Sequence, residues 1–128
     1  MTYKTKADAD NAKRRYFYLK NSFYETRGDF IYCIEYLKYA SSNVMYFKSN
    51  FEKYYQSNSQ LRNRIVKKLY DLSTSIDNAE KQAQNIISQI DLNIKKCTEL
   101  IAEAQQQFDS FVESEKTYGQ KLIEKFLK

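Results

Sequence analysis

Between Ala12 and Tyr54 the chain reads AKRRYFYLKNSFYETRGDFIYCIEYLKYASSNVMYFKSNFEKY. Ala12, Tyr16, Leu19, Phe23, Thr26, Phe30, Cys33, Leu37, Ala40, Val44, Phe47, Phe51 and Tyr54 recur at alternating steps of four and three, and Thr26 alone breaks the non-polar run. A repeat of 3.5 residues keeps one seam of a helix turned toward a partner helix. The stretch therefore predicts one long helix with a helical neighbour.

The same spacing returns in the second half, through Leu61, Ile65, Leu69, Leu72, Ile76, Ala79, Ala83, Ile86, Ile90, Ile94, Cys97, Ile101, Ala104, Phe108 and Phe111, and then Tyr118, Leu122 and Phe126. Glu115 interrupts it once. From Ile86 to Cys97 the steps run four, four, three, a unit that would locally relax a left-handed supercoil. Between the halves, Gln56-Ser57-Asn58-Ser59-Gln60 supplies turn and capping residues.

These readings predict an all-α protein, a single helical domain over 1–128 built as a long antiparallel helical hairpin or coiled coil. Helix 1 spans about 7–56, the turn about 57–60 and helix 2 about 60–127. Folding at Asn58 would set Lys4, Lys6 and Lys13 to Arg15 beside the acidic stretch Glu99 to Glu113. Breaks at Ser41-Ser42-Asn43 and Ser73-Thr74-Ser75, where Thr74 and Asp77 resemble a capping box, would instead give a three-helix bundle.

Composition agrees with extended helices. The 128 residues include no Pro and two Gly, with a mean hydropathy of −0.75, so little marks the tight turns of a β fold. The first residues lack the apolar core of a leader, and no apolar run is long enough to span a membrane. The expected location is the cytoplasm, or export without a cleaved leader. Cys33 and Cys97 fall on the apolar pattern, which reads as small buried hydrophobes rather than a disulfide.

With Phe23 placed at heptad position a, the remaining apolar residues of helix 1 do not scatter. Positions b and c hold Phe17, Tyr18, Tyr24, Ile31, Tyr32, Tyr39, Met45 and Tyr46, whereas position f holds Asn21, Gly28, Glu35, Ser42 and Ser49. A helix with two apolar stripes needs two partners, and helix 2 can cover one. The eight residues at b and c are thus the expected partner-binding surface, and tyrosine suits an interface because its ring buries area while its hydroxyl tolerates a wet rim.

Catalysis is not expected. The chain has no His, and so lacks the commonest general base and transition-metal ligand; there is no Gly-rich phosphate loop. Glu99 and Glu103 share a helix face, but a solvated acidic stripe explains them, so no metal, cofactor or small-molecule substrate is expected. The net charge of +5 arises from basic residues interleaved with acidic ones, apart from the short clusters Lys13-Arg14-Arg15 and Arg62 to Lys68. Tyrosines beside Lys and Arg can stack bases and neutralise phosphates, which makes nucleic-acid binding the rival reading, disfavoured because no binding motif accompanies them. The favoured partner is a different, helical protein, with a homo-oligomer as the alternative.

A leaderless, Pro-free helical hairpin carrying Phe111-Val-Glu-Ser-Glu115 late in its second helix resembles the small partner proteins of bacterial type VII secretion. These include the W-x-G hairpins and the helical partners of LXG toxins. The resemblance implies packing beside the N-terminal helix of a larger secreted protein, with Phe111 and Glu115 contributing to a targeting surface. The chain departs from that pattern in having no Trp, no W-x-G in its turn and no Tyr-x-x-x-Asp/Glu. A helical phage inhibitor of a host protein is a further reading consistent with the same composition.

Overall fold

The computed structural model describes residues 2–55, 60–116 and 118–127, of Tyr118 the backbone only. Three helices account for nearly all of them: α1 (Lys6–Tyr54), α2 (Gln60–Glu115) and α3 (Tyr118–Leu127). The fold class is the all-α helical hairpin, and there are no strands among the described residues. The predicted turn at 57–60 lies outside the described residues except for Gln60, the first residue of α2. Ser41 to Asn43 and Ser73 to Ser75 sit inside unbroken helices, so the three-helix bundle built on breaks there is not formed.

Thr5 starts α1. Its side-chain oxygen accepts the Asp8 N–H at 3.1 Å and its carbonyl accepts the Ala9 N–H at 3.2 Å, which satisfies donors that a helix start leaves free. At the other end, Arg62 donates to the carbonyls of Tyr55 and Glu52. A cation there serves orphan acceptors and opposes the negative end of the helix dipole.

The chain divides into two units, each containing a stretch of α1 against a stretch of α2: residues 1–24 with 92–128, and residues 25–91. The seam pattern predicts one domain over the whole chain. Within the second unit, Arg27 pairs with Asp91 at 2.7 Å, Lys38 with Glu80 at 3.8 Å, and Ser41 donates to Asp77 at 3.0 Å. Each step forward along α1 is matched by an equal step back along α2, which fixes an antiparallel register. Within the first unit, Lys6 pairs with Glu115 at 2.9 Å and Lys13 reaches Gln105 at 2.6 Å.

Burial corrects the seam. Tyr16, Phe23, Phe30, Leu37, Val44 and Phe51 at position a are covered as expected, but Leu19, Thr26, Cys33 and Phe47 at position d are exposed, and only Ala12 and Ala40 of that series turn inward. The second row of the seam is position e instead: Lys20, Arg27, Ile34, Ser41 and Lys48 are half-buried. This turns the covered face by roughly 50°, half the angular step between successive residues. The cause is polar. Long basic side chains lay their aliphatic stems along the seam edge while their heads reach acceptors, as Lys13 and Arg27 do across the helix pair.

The same adjustment runs through the front half of α2. Ser73 replaces Leu72 and Ile87 replaces Ile86 on the covered face, while Ile90, Ile94, Cys97 and Ala104 are buried as expected. Ile87, Ile90, Ile94 and Cys97 then step three, four, three, and the expected eleven-residue unit disappears. The seam pattern also predicts helix 2 through to 127, whereas α2 ends at Glu115 and Leu122 and Phe126 in α3 are exposed. After Phe111 the next seam residue is Glu115, whose charge goes to Lys6, so no apolar burial extends the helix. Lys116 joins the two segments through Glu113 at 3.1 Å and Glu124 at 2.7 Å.

Replacing Leu37 by Ala is expected to lower unfolding free energy by about 2–3 kcal/mol, the lower part of the range for core truncations because Leu37 is half-buried. Phe47→Ala, at an exposed position, should cost under about 0.5 kcal/mol. Urea denaturation of the two variants checks this, and equal losses would restore Phe47 to the seam.

Candidate interaction face of helix α1

Rotation of the seam decides what α1 presents outward. Position c lies opposite a seam made of a and e, so Tyr32, Tyr39 and Tyr46 point away from α2 with 66–72 % of their surface exposed, while Tyr18, 77 % exposed, borders a groove between the helices. Phe17 and Tyr24 are also well exposed, while Ile31 and Met45, at 37 % and 40 %, stand partly sheltered on the b flank. All eight sequence-predicted partner-binding residues are therefore on the surface of α1. Phe17, Tyr18 and Tyr24 belong to the unit of residues 1–24 with 92–128, and Ile31, Tyr32, Tyr39, Met45 and Tyr46 to the unit of residues 25–91.

In the unit of residues 25–91 the richest face runs c to g rather than b to c. Tyr36 at position g is 71 % exposed and lies four residues after Tyr32 and three before Tyr39, so the three rings share one helix face. Tyr36 is not among the expected residues because a seam at position d places the second stripe on the far side of d. The i, i+4, i+7 spacing of Tyr32, Tyr36 and Tyr39 is the signal that was present. Phe47, freed from the seam, stacks toward Phe51 with ring centroids 6.5 Å apart, and Phe51 stacks on Tyr55 at 4.8 Å.

The cations flanking the seam of this unit are engaged. Arg27 is held by Asp91 and Lys38 approaches Glu80. Lys48 binds Glu52 at 2.6 Å, and that hydrogen bond holds the Glu52 carboxyl below its ordinary range, against a smaller opposing effect of burial. The tyrosine face is thus aromatic and hydroxylic, with one acid and one base, Glu25 and Lys53, at the ends of its row.

In the unit of residues 1–24 and 92–128, an open apolar groove of ≈ 680 Å³ runs between the helices, lined by Phe17, Tyr18, Ile101 and Ala102 among others. The N-terminal residues pack against α2 near Gln107. Tyr3 N–H donates to the Gln107 side chain at 2.7 Å, and desolvation, with the adjacent Tyr16 phenol, pushes the Tyr3 hydroxyl above its usual range. Lys6 and Lys13 each place their ammonium 5.9 Å from the centroid of the Phe108 ring, a cation–π arrangement. Phe111 is half-buried and lines a small pocket with Thr2 and Tyr3, while Glu115 is taken up by Lys6. Glu99 is exposed, and Glu103 accepts a hydrogen bond from Gln107 at 3.5 Å.

Across both units the covered surface is thin. Among the described residues no large side chain is fully buried, because a layer of two helices shields each seam ring from one side. No helix of the described residues is long and apolar enough to cross a membrane. No protein family matches the chain, and neither does any curated protein or solved structure.

Both cysteines are free, Cys33 exposed and Cys97 buried, which corrects the expectation that Cys33 lies inside with Cys97. In the dilute native protein, iodoacetamide is expected to alkylate Cys33 at the rate of an open thiol and Cys97 at least about tenfold more slowly, since access controls thiol reactivity. Mass spectrometry of timed samples checks it; similar rates would contradict the position-e seam.

Proposed function

We propose that the chain is a non-catalytic protein-binding module that docks a helix of another polypeptide on the outward tyrosine face of α1. One observation carries the reading. Tyr32, Tyr36, Tyr39 and Tyr46 stand 66–72 % exposed along a single helix face, a larger contiguous aromatic surface than monomeric proteins usually leave in water. The hydrophobic return from covering those rings, together with wet hydroxyl contacts at the rim, is what an interface of this composition offers.

A further feature supports a protein partner over nucleic acid. Backbone tracking needs several free cations beside the stacking rings, and here Lys38 is engaged by Glu80 while the one cation of the tyrosine row, Lys53, is balanced by Glu25 at its other end. Adaptor or chaperone-like service to a secreted partner, and inhibition of a host protein, are both uses to which such a face could be put. The targeting role suggested for Phe111 and Glu115 has weaker support, since the phenyl ring is half-buried and the carboxylate is paired.

A photo-crosslinking amino acid in place of Tyr39 is expected to yield a covalent adduct with a second polypeptide under native conditions, while the same group at exposed Lys95 of α2 yields none. Gel mobility and peptide mapping read the result. Absence of any adduct at position 39, or equal adducts at both positions, would overturn the reading. As a companion, combining Tyr32→Ala, Tyr39→Ala and Tyr46→Ala should leave circular dichroism unchanged and remove the adduct formed from a crosslinker at position 36.

A further inference from the structure

The outward face of α1 has a charge order that selects its occupant. Position c from residue 25 to residue 53 reads Glu25, Tyr32, Tyr39, Tyr46, Lys53, five exposed residues within a single unit. The order is self-complementary when reversed: an acid, three tyrosines, a base. Glu25 makes no ion pair among the described residues, and the Lys53 ammonium lies 5.6 Å from the centroid of the neighbouring Tyr54 ring.

We infer that the occupant of this face is a second copy of the same chain, its α1 lying antiparallel and centred on Tyr39. The inference rests on the protein-binding reading above and narrows it to one partner. In this arrangement Tyr39 meets Tyr39 of the second copy on the two-fold axis, Tyr32 meets Tyr46, and Glu25 meets Lys53, each pair occurring twice. A two-fold interface requires such reciprocity, with the same patch used on both copies. A parallel arrangement would set Glu25 against Glu25 and Lys53 against Lys53, which like-charge repulsion opposes.

Geometry and area agree. A heptad row stays on one face only if the helix follows a 3.5-residue repeat, since a straight helix drifts roughly 20° per heptad. The seam of α1 against α2 keeps that repeat, so position c keeps its place opposite. Tyr36 lies beside the row at position g and joins it, and Phe47 flanks it at position d. Five rings, each leaving on the order of 100 Å² uncovered at these exposures, supply about 500 Å², the larger part of the roughly 800 Å² per partner of a standard interface.

The test uses the full chain in a Cys33→Ser background, with the buried Cys97 retained. Tyr39→Cys is expected to form a disulfide-linked dimer by itself on mild oxidation. Tyr32→Cys and Tyr46→Cys should each remain unlinked alone but link to one another when the two chains are mixed. Self-linking of Tyr32→Cys and of Tyr46→Cys would show a parallel pair and overturn the arrangement. No linkage in any sample, with a single-chain mass by sedimentation at micromolar concentration, would overturn the second copy altogether. The protein-binding reading would then stand or fall separately on whether a crosslinker at position 39 captures a different polypeptide.

Charge reversal provides the second arm. Glu25→Lys alone, or Lys53→Glu alone, should weaken association about tenfold, because each creates two like-charge pairs per dimer. Combining the two reversals should restore affinity to near the starting value. Loss without restoration in the double variant would contradict the Glu25 to Lys53 pairing.

Discussion

The position of the helix seam governs the rest of this structure. A pattern of steps of four and three can be satisfied by position a with d or by position a with e, and apolar content alone favours d, where Leu19, Cys33 and Phe47 stand. What selects e is the polar row at the seam edge, in which Lys13, Arg27 and Ser41 find acceptors on α2 at 2.6, 2.7 and 3.0 Å. Individually, exposed pairs of this kind contribute little. Their effect is on specificity: they are satisfied in one rotation of the helix and broken in the other.

Everything on the outer side of α1 follows from that rotation. With d released, Cys33 and Phe47 come to the surface and position c points directly away from α2. The tyrosines at Tyr32, Tyr39 and Tyr46 are then as far from the covered face as a residue can be, and Tyr36 joins them. A two-helix layer leaves even its seam residues half-covered, so further burial on the opposite face is the main apolar stabilisation still open to the protein. The acid and the base at the two ends of the tyrosine row give that burial a direction.

The sequence made the helices, their antiparallel order and the existence of a second aromatic stripe legible, because each rests on periodicity sustained over many turns. Position a and the later seam from Ile90 onward were readable for the same reason. The choice between d and e was not, since it depends on which acceptors on α2 stand opposite Lys13 and Arg27, and that is known only once the register is fixed. The apparent eleven-residue unit at Ile86 came from the same source: Ile86 and Ile87 are equally apolar, and only the neighbour across the seam distinguishes them. The end of α2 at Glu115 had a visible sign in the interrupted seam, but the pairing of Glu115 with Lys6 was needed to show that the interruption ends the helix.

Tyrosine footprinting as a function of protein concentration tests the central claim most directly, that the tyrosine face of α1 is built to be covered. Nitration, read by peptide mass spectrometry, distinguishes the rings within one sample. The account predicts that Tyr32, Tyr39 and Tyr46 react readily in dilute protein and become protected as concentration rises, while Tyr70 on α2, also exposed, keeps its reactivity throughout. Protection of Tyr70 with no change at Tyr32, Tyr39 and Tyr46 would place the contact on α2 and contradict the account.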